Sequence, residues 1–175
     1  FIGANTIVQN VVALKKTQEK IVRIFQKQFG RQVIVIGPAP QPIAHIDMIL
    51  TPIGGNKIIL ADANWAAAIA QQAMENNPRS VQEFENFCKL TFFAHPAIKE
   101  LYDANGNPIL PPDLTGRTKQ AIETSKKIAP KLDGIAQGLK QLGYEIIRMP
   151  FLTDNDDSQE FNDAAQEGSN TKSRS

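Results

Sequence analysis

The chain has 175 residues, 42% of them hydrophobic and 21% charged, which suits one compact domain of ordinary size. A formal net charge of +1 supplies no field for a polyanion or an anionic bilayer, and no apolar run approaches the roughly 20 residues of a spanning helix, so no nucleic-acid and no membrane partner is expected. Cys88 is the one cysteine, which excludes an internal disulfide.

In chain order, 1–2 and 6–9 read as short strand pieces around Gly3-Ala4-Asn5, and the abrupt start at Phe1 leads us to expect a piece of something longer. A helix is predicted over 10–29, because Val11, Leu14, Ile21, Val22, Phe25 and Phe29 recur at three- and four-residue spacing with Gln18 as the polar gap. Lys15, Lys16, Glu19, Lys20 and Lys27 take its solvent side, and Gly30 stops it. The β-branched, near-continuous apolar run at 32–36 has the form of a buried strand. Gly37-Pro38-Ala39-Pro40-Gln41-Pro42 forces an extended connection, since each proline removes a donor and pushes its predecessor out of the helical region. Runs at 46–50 and 57–60, joined through Pro52-Ile53-Gly54-Gly55-Asn56, read as a hairpin.

A helix follows over 62–76, with Ala66, Ile69, Ala70 and Ala73 on one stripe and Trp65 as a packing anchor. Asn77-Pro78 breaks it, and the capping box Ser80-Val81-Gln82-Glu83 starts another whose stripe is Phe84, Phe87, Cys88, Thr91 and Phe92. Cys88 is thereby expected in apolar surroundings, where a thiol is inert, and His95 as a structural or surface residue. Turns are predicted at 105–108 and 111–113. The helical pattern over 117–142 turns Ile128, Leu132, Ile135, Leu139 and Leu142 inward, leaves Lys126 and Lys127 solvated, and should kink or split at Pro130. A last strand is predicted over 144–149. The fold class is mixed α/β: a domain over 1–150, a helical insertion at about 63–143, and a polar tail over 151–175 expected to be disordered.

The chemistry concentrates in Ala44-His45-Ile46-Asp47-Met48-Ile49-Leu50-Thr51. On a strand, Ile46, Met48 and Leu50 share one face, and His45 and Asp47 fall together on the other. The spacing alone leaves two readings open: two polar residues at a solvated strand end, or an imidazole and a carboxylate brought together for use. A metal site would need further ligands, and the other histidine, His95, lies far along the chain.

From Phe1-Ile2-Gly3, through the 10–29 helix and the strand at 33–36, to Pro42-x-x-His45-x-Asp47 and the Gly54-Gly55 hairpin, the sequence resembles part of the pentein superfamily. These are the guanidine-modifying arginine and agmatine deiminases, dimethylarginine hydrolases and amidinotransferases. The resemblance covers mainly 1–62. It implies a partial α/β-propeller of ββαβ-type units and a cysteine that attacks a guanidinium carbon. His45 would be the general acid and base, and Asp47 would grip the guanidinium of a small-molecule or peptidyl substrate, with no cofactor and no metal. The roles are chemically consistent. A planar N–H fork matches a carboxylate at two points, and an imidazole titrating near neutrality can protonate a departing amine and then activate water. The nucleophilic cysteine that the family places near its C-terminus, and a further substrate-binding acid upstream, have no counterpart here. Thr6-Ile7-Val8-Gln9 stands where Arg-Thr is often found. The chain is therefore expected to be an incomplete fragment, inactive alone. The alternative is a non-catalytic binding module, like the superfamily's ribosome anti-association factors; the presence of His45 and Asp47 favours the enzyme.

Overall fold

A computed structural model of the chain describes residues 1–88 and 116–157. Their elements run β1 (Ile2–Gly3), α1 (Ala4–Leu14), α2 (Gln18–Phe29), β2 (Val35–Ile36), α3 (Ile46–Ile49), β3 (Leu50–Gly54), β4 (Lys57–Asp62), α4 (Ala63–Asn76), α5 (Pro78–Cys88), α6 (Arg117–Gln141) and β5 (Glu145–Pro150). The mixed α/β class expected from the sequence is what is found, with two small open sheets.

In the first sheet β1 and β2 lie parallel, Ile2 opposite Val35 and Gly3 opposite Ile36. The second has the order β3-β4-β5. Its β3–β4 hairpin is antiparallel, with Leu50 opposite Leu60 and a register shift between Pro52 and Gly54. β4 and β5 are parallel from Lys57–Glu145 to Asp62–Pro150. A parallel pair needs a long crossover, and among the described residues it runs through α4, α5 and α6.

The core follows from strand and helix periodicity. Ile58 and Leu60 of β4 point to one face of the sheet and meet Ile128, Leu132, Ile135 and Leu139, one stripe of α6; Ile36, Ile43, Ile49 and Leu50 complete the cluster. Burying a side chain such as Leu132 completely contributes about 1.5–3 kcal/mol. The opposite face of the sheet is open among the described residues, with Ile53, Ile147 and Met149 exposed.

Several local expectations are corrected. The strand piece at 6–9 is the body of α1, and the single helix at 10–29 is two helices. Lys15 in the left-handed region ends α1, and the Thr17 hydroxyl accepts from the Lys20 N–H to start α2. Gly30 stops α2 as expected, with φ 63°. The strand at 32–36 shrinks to two residues. α5 starts two residues before the expected capping box: Pro78 fills its first position, where a missing N–H costs nothing, and the Asn77 side chain accepts from the Ser80 N–H. α6 runs through Pro130 without splitting, because that proline lies on the exposed side where water can serve the freed carbonyl. Leu142 is 58% exposed rather than inward, since the helix has ended at Gln141, and Trp65 is 49% exposed rather than an anchor. Residues 151–157, placed in the disordered tail by composition, are hydrogen-bonded to the rest of the fold. The features expected at 91–92, His95, 105–108 and 111–113, and the tail over 158–175, lie outside the described residues.

Candidate functional site

The segment carrying His45 is held from two directions. Its proline-rich stretch cannot form helix or ladder, so its geometry must come from elsewhere. Gln41 supplies part of it: its Oε1 accepts from the Asn5 N–H at 2.8 Å, and its own N–H donates to Asn5 Oδ1 at 2.9 Å. Gly3, the N-cap of α1, has no side chain to serve the helix's free N–H groups, so an amide 36 residues away caps it. Gln41 is 1% exposed, and its Nε2 donates to the Ile43 carbonyl at 3.4 Å, so the buried amide is engaged at both ends. A methyl group added at Gly3 would run into that amide. Pro42 and Ile43 are buried beside it.

From the other direction comes Asp157. Its N–H donates to the Pro42 carbonyl at 3.1 Å, and its carboxylate accepts from the Ala44 N–H. Sequence reasoning missed Asn5, Gln41 and Asp157. The first two meet across 36 positions with no local pattern, and the third sits in a run whose composition reads as solvated.

His45 is the next residue along, and the strand expected over 46–50 is not formed. Ile46–Ile49 is the one-turn helix α3, His45 is its extended N-cap with φ −91° and ψ 118°, and the strand begins only at Leu50. The His45 carbonyl accepts from the Met48 N–H at 3.2 Å, which closes the turn. The shared strand face for His45 and Asp47 is thus replaced by two positions at a helix start, which do not face one another. Both side chains are exposed, and no hydrogen bond joins them. Asp47 stands on the wall of a groove of about 230 Å³ with Met48, Thr51, Ile59, Met149 and Phe151; His45 is not among its walls.

A second groove of about 330 Å³ continues past Met48 and Phe151 to Phe84, Arg117 and Cys88. Cys88 is half-exposed there, not enclosed in a core as its apolar neighbours suggested. A hollow of about 510 Å³ between β2 and α6 is lined by Ile34, Ile36, Ile135 and Leu139, with Lys131 as its charged side chain, and offers no acid–base pair.

Charge is most organised beside the end of β4. The Arg148 guanidinium donates to Asp62 at 3.0 Å and to Asp133 at 2.6 Å, tying β5 to the end of β4 and to α6. Asp62 also accepts from the Trp65 N–H at 2.8 Å and so caps α4. Burial by itself would raise the Asp62 carboxyl. The Trp65 N–H, the hydrogen bond and charge of Arg148, and the Asn64 N–H outweigh it and hold the group below the ordinary 3.8. This is an internally satisfied ion-pair network with structural work to do. Among the described residues no group of three or more His, Cys, Asp or Glu could hold a metal ion, and no helix is long and apolar enough to cross a membrane.

Compared with known proteins, the chain matches no family model, no curated protein and no solved structure.

Proposed function

We propose that the chain is part of a guanidine-modifying enzyme of the pentein kind, a deiminase-like hydrolase or an amidinotransferase. In this reading Asp47 grips the guanidinium of an arginine-like substrate and His45 moves the proton. The observation that carries it is position: both side chains are exposed on the segment that leads directly into β3, the first strand of the β3-β4-β5 sheet, whose crossover runs through α4, α5 and α6 and is read as an enlarged ββαβ unit. That unit, and the α/β end of a second one made by α1, α2 and the β1–β2 pair, are read as blades of a partial propeller.

The groove beside Asp47 suits a planar cation. Its carboxylate is the anionic group on a wall otherwise made largely by Met48, Ile59, Met149 and Phe151, and an apolar wall strengthens an ion pair by lowering the local dielectric. His45 is the exposed imidazole nearby in the chain, and its neutral form can accept or return a proton without moving a structural partner. The covalent step is assigned to a cysteine other than Cys88, and no cofactor is needed.

The chain holds two histidines, so its imidazole NMR spectrum is simple to assign with a His45→Gln variant. Methylguanidinium should shift the His45 resonances with weak affinity, a dissociation constant on the order of 1–10 mM. Asp47→Asn should weaken that binding by up to about fivefold, since an exposed ion pair contributes about 1 kcal/mol or less. A His45 spectrum unmoved by methylguanidinium, arginine and agmatine sinks the proposal. The open apolar face of the three-stranded sheet, with Ile53, Ile147 and Met149 exposed, favours the second reading, a non-catalytic binding module.

A further inference from the structure

The chain does not leave the molecule when β5 ends. It turns back along α6 and finishes against the segment that carries His45. Phe151 packs on the core, and its N–H donates to the Asp62 carbonyl at 3.2 Å. Two residues on, Ser125 of α6, fully buried, accepts from the Thr153 N–H at 3.0 Å and donates its hydroxyl to the Thr153 carbonyl at 3.2 Å. Asp154 pairs with Arg117, and Asp156 lies 3.0 Å from Lys127 and 4.0 Å from Lys131. The Asp156 side chain is only 6% exposed, so its attraction to the lysines is little screened. Each acidic residue of this strap meets a base of α6 until Asp157, which instead meets backbone. One of its carboxylate oxygens accepts from the Ala44 N–H and the other from the Asn155 side-chain amide.

We propose that Asp157 is a positioning residue for His45: the strap over 151–157 is a clasp that fixes the peptide unit immediately before the imidazole. This rests on the reading of His45 as the proton-moving group. The clasp has three parts with separate jobs. The Ser125–Thr153 pair sets its height on α6. The Lys127–Asp156 and Arg117–Asp154 pairs pull it flat. The two bonds from Asp157, to the Pro42 carbonyl and the Ala44 N–H, bracket buried Ile43 and stop the loop from pivoting about it. On the far side the Asn5–Gln41 pair holds the same loop. His45 is the first residue beyond these anchors. An imidazole that must meet a substrate within a fraction of an ångström needs such an anchored neighbour, because its own side chain has no hydrogen-bond partner among the described residues.

The test uses the full chain and two variants, Asp157→Ala and Asp157→Asn. Amide exchange at Ala44 should accelerate about tenfold or more in Asp157→Ala, because a charge-assisted acceptor is gone. The His45 ring signals should shift as its backbone loses its anchor, and methylguanidinium binding should weaken severalfold. Amides of Ile58, Leu60 and Leu132 should keep their protection. Asp157→Asn retains an acceptor and should restore most of the Ala44 protection and the His45 signals. Unchanged His45 signals in Asp157→Ala overturn the proposal. So does a loss of protection that spreads through the core and is not rescued by asparagine, because Asp157 is then merely structural. If the clasp behaves as stated but methylguanidinium never perturbs His45, the anchor stands and it is the guanidine reading that fails.

Discussion

The described residues contain two parallel strand pairs with helical connections, and they are held in different ways. β4 and β5 stay in register over six residues, and α6 lays one unbroken apolar stripe across them. β1 and β2 share two residues, and the turn beside them is secured by the reciprocal Asn5–Gln41 bonds rather than by a long ladder. The first pair is stabilised by area, which is non-directional and tolerant of small shifts. The second depends on a few directional contacts inside a close-fitting space, where one atom too many is enough to disrupt it. A fold that places its candidate chemistry just beyond the second kind of joint gains definition there without adding bulk.

Substitutions can sharpen this contrast. Leu132→Ala removes the centre of the α6 stripe and should cost about 2–5 kcal/mol in denaturant unfolding, the largest effect expected here. A loss below about 1 kcal/mol would mean that β4 and β5 do not depend on α6. Gly3→Ala should cost about 1–3 kcal/mol by driving a methyl into the Gln41 amide. Its signature should be local: amide protection lost at Ile2 and Asn5 and kept at Leu60. Equal loss at all three positions would erase the distinction between the two pairs.

The smallest effect is electrostatic. Arg148→Met should lower stability at neutral pH by about 1 kcal/mol, since it leaves the partly buried Asp62 carboxylate without its cation while the Trp65 N–H still serves it. Its pH dependence is the informative part. Asp62 has a lowered folded value, so its contribution is fully present above the ordinary 3.8 and is lost as pH falls through that lowered value. Without Arg148 the carboxyl rises, less is lost, and the stability gap between the two proteins should narrow on acidification to about pH 2. A gap that stays constant from neutral to acid would show that Arg148 does not tune Asp62.

What could be read from the chain sorts along the same line. The hairpin turn, the extent of α4 and four of the five stripe positions of α6, Ile128, Leu132, Ile135 and Leu139, were legible because local periodicity and turn chemistry agree with their tertiary role. The stripe expected on α4 was not: Ile69 and Ala73 are exposed, and Ala63 and Ala67 are buried with Ala66 instead. The split of the first long helix was hidden because Lys15 is not a usual breaker and the apolar spacing continues across the gap. The failure around His45 has a specific cause. Ile46, Met48 and Leu50 alternate as a strand would, yet Ile46–Ile49 closes one helical turn and the pairing with β4 starts only at Leu50. Alternation over so short a run does not separate the two conformations. The candidate residues were legible as residue types; the face they share was not. Gln41 and Asp157 could not have been found at all, because a side chain that bonds backbone far away leaves no periodic trace.

The remote amide at the start of α1 also bears on the order of assembly. As the chain emerges, its first helix has an unserved opening turn until a segment 36 residues later has been made and folded back. A peptide ending before Gln41 should therefore fray at Asn5, and adding the loop should quench that fraying. The exchange rate of one amide thus becomes a clock for when the first forty or so residues close on themselves.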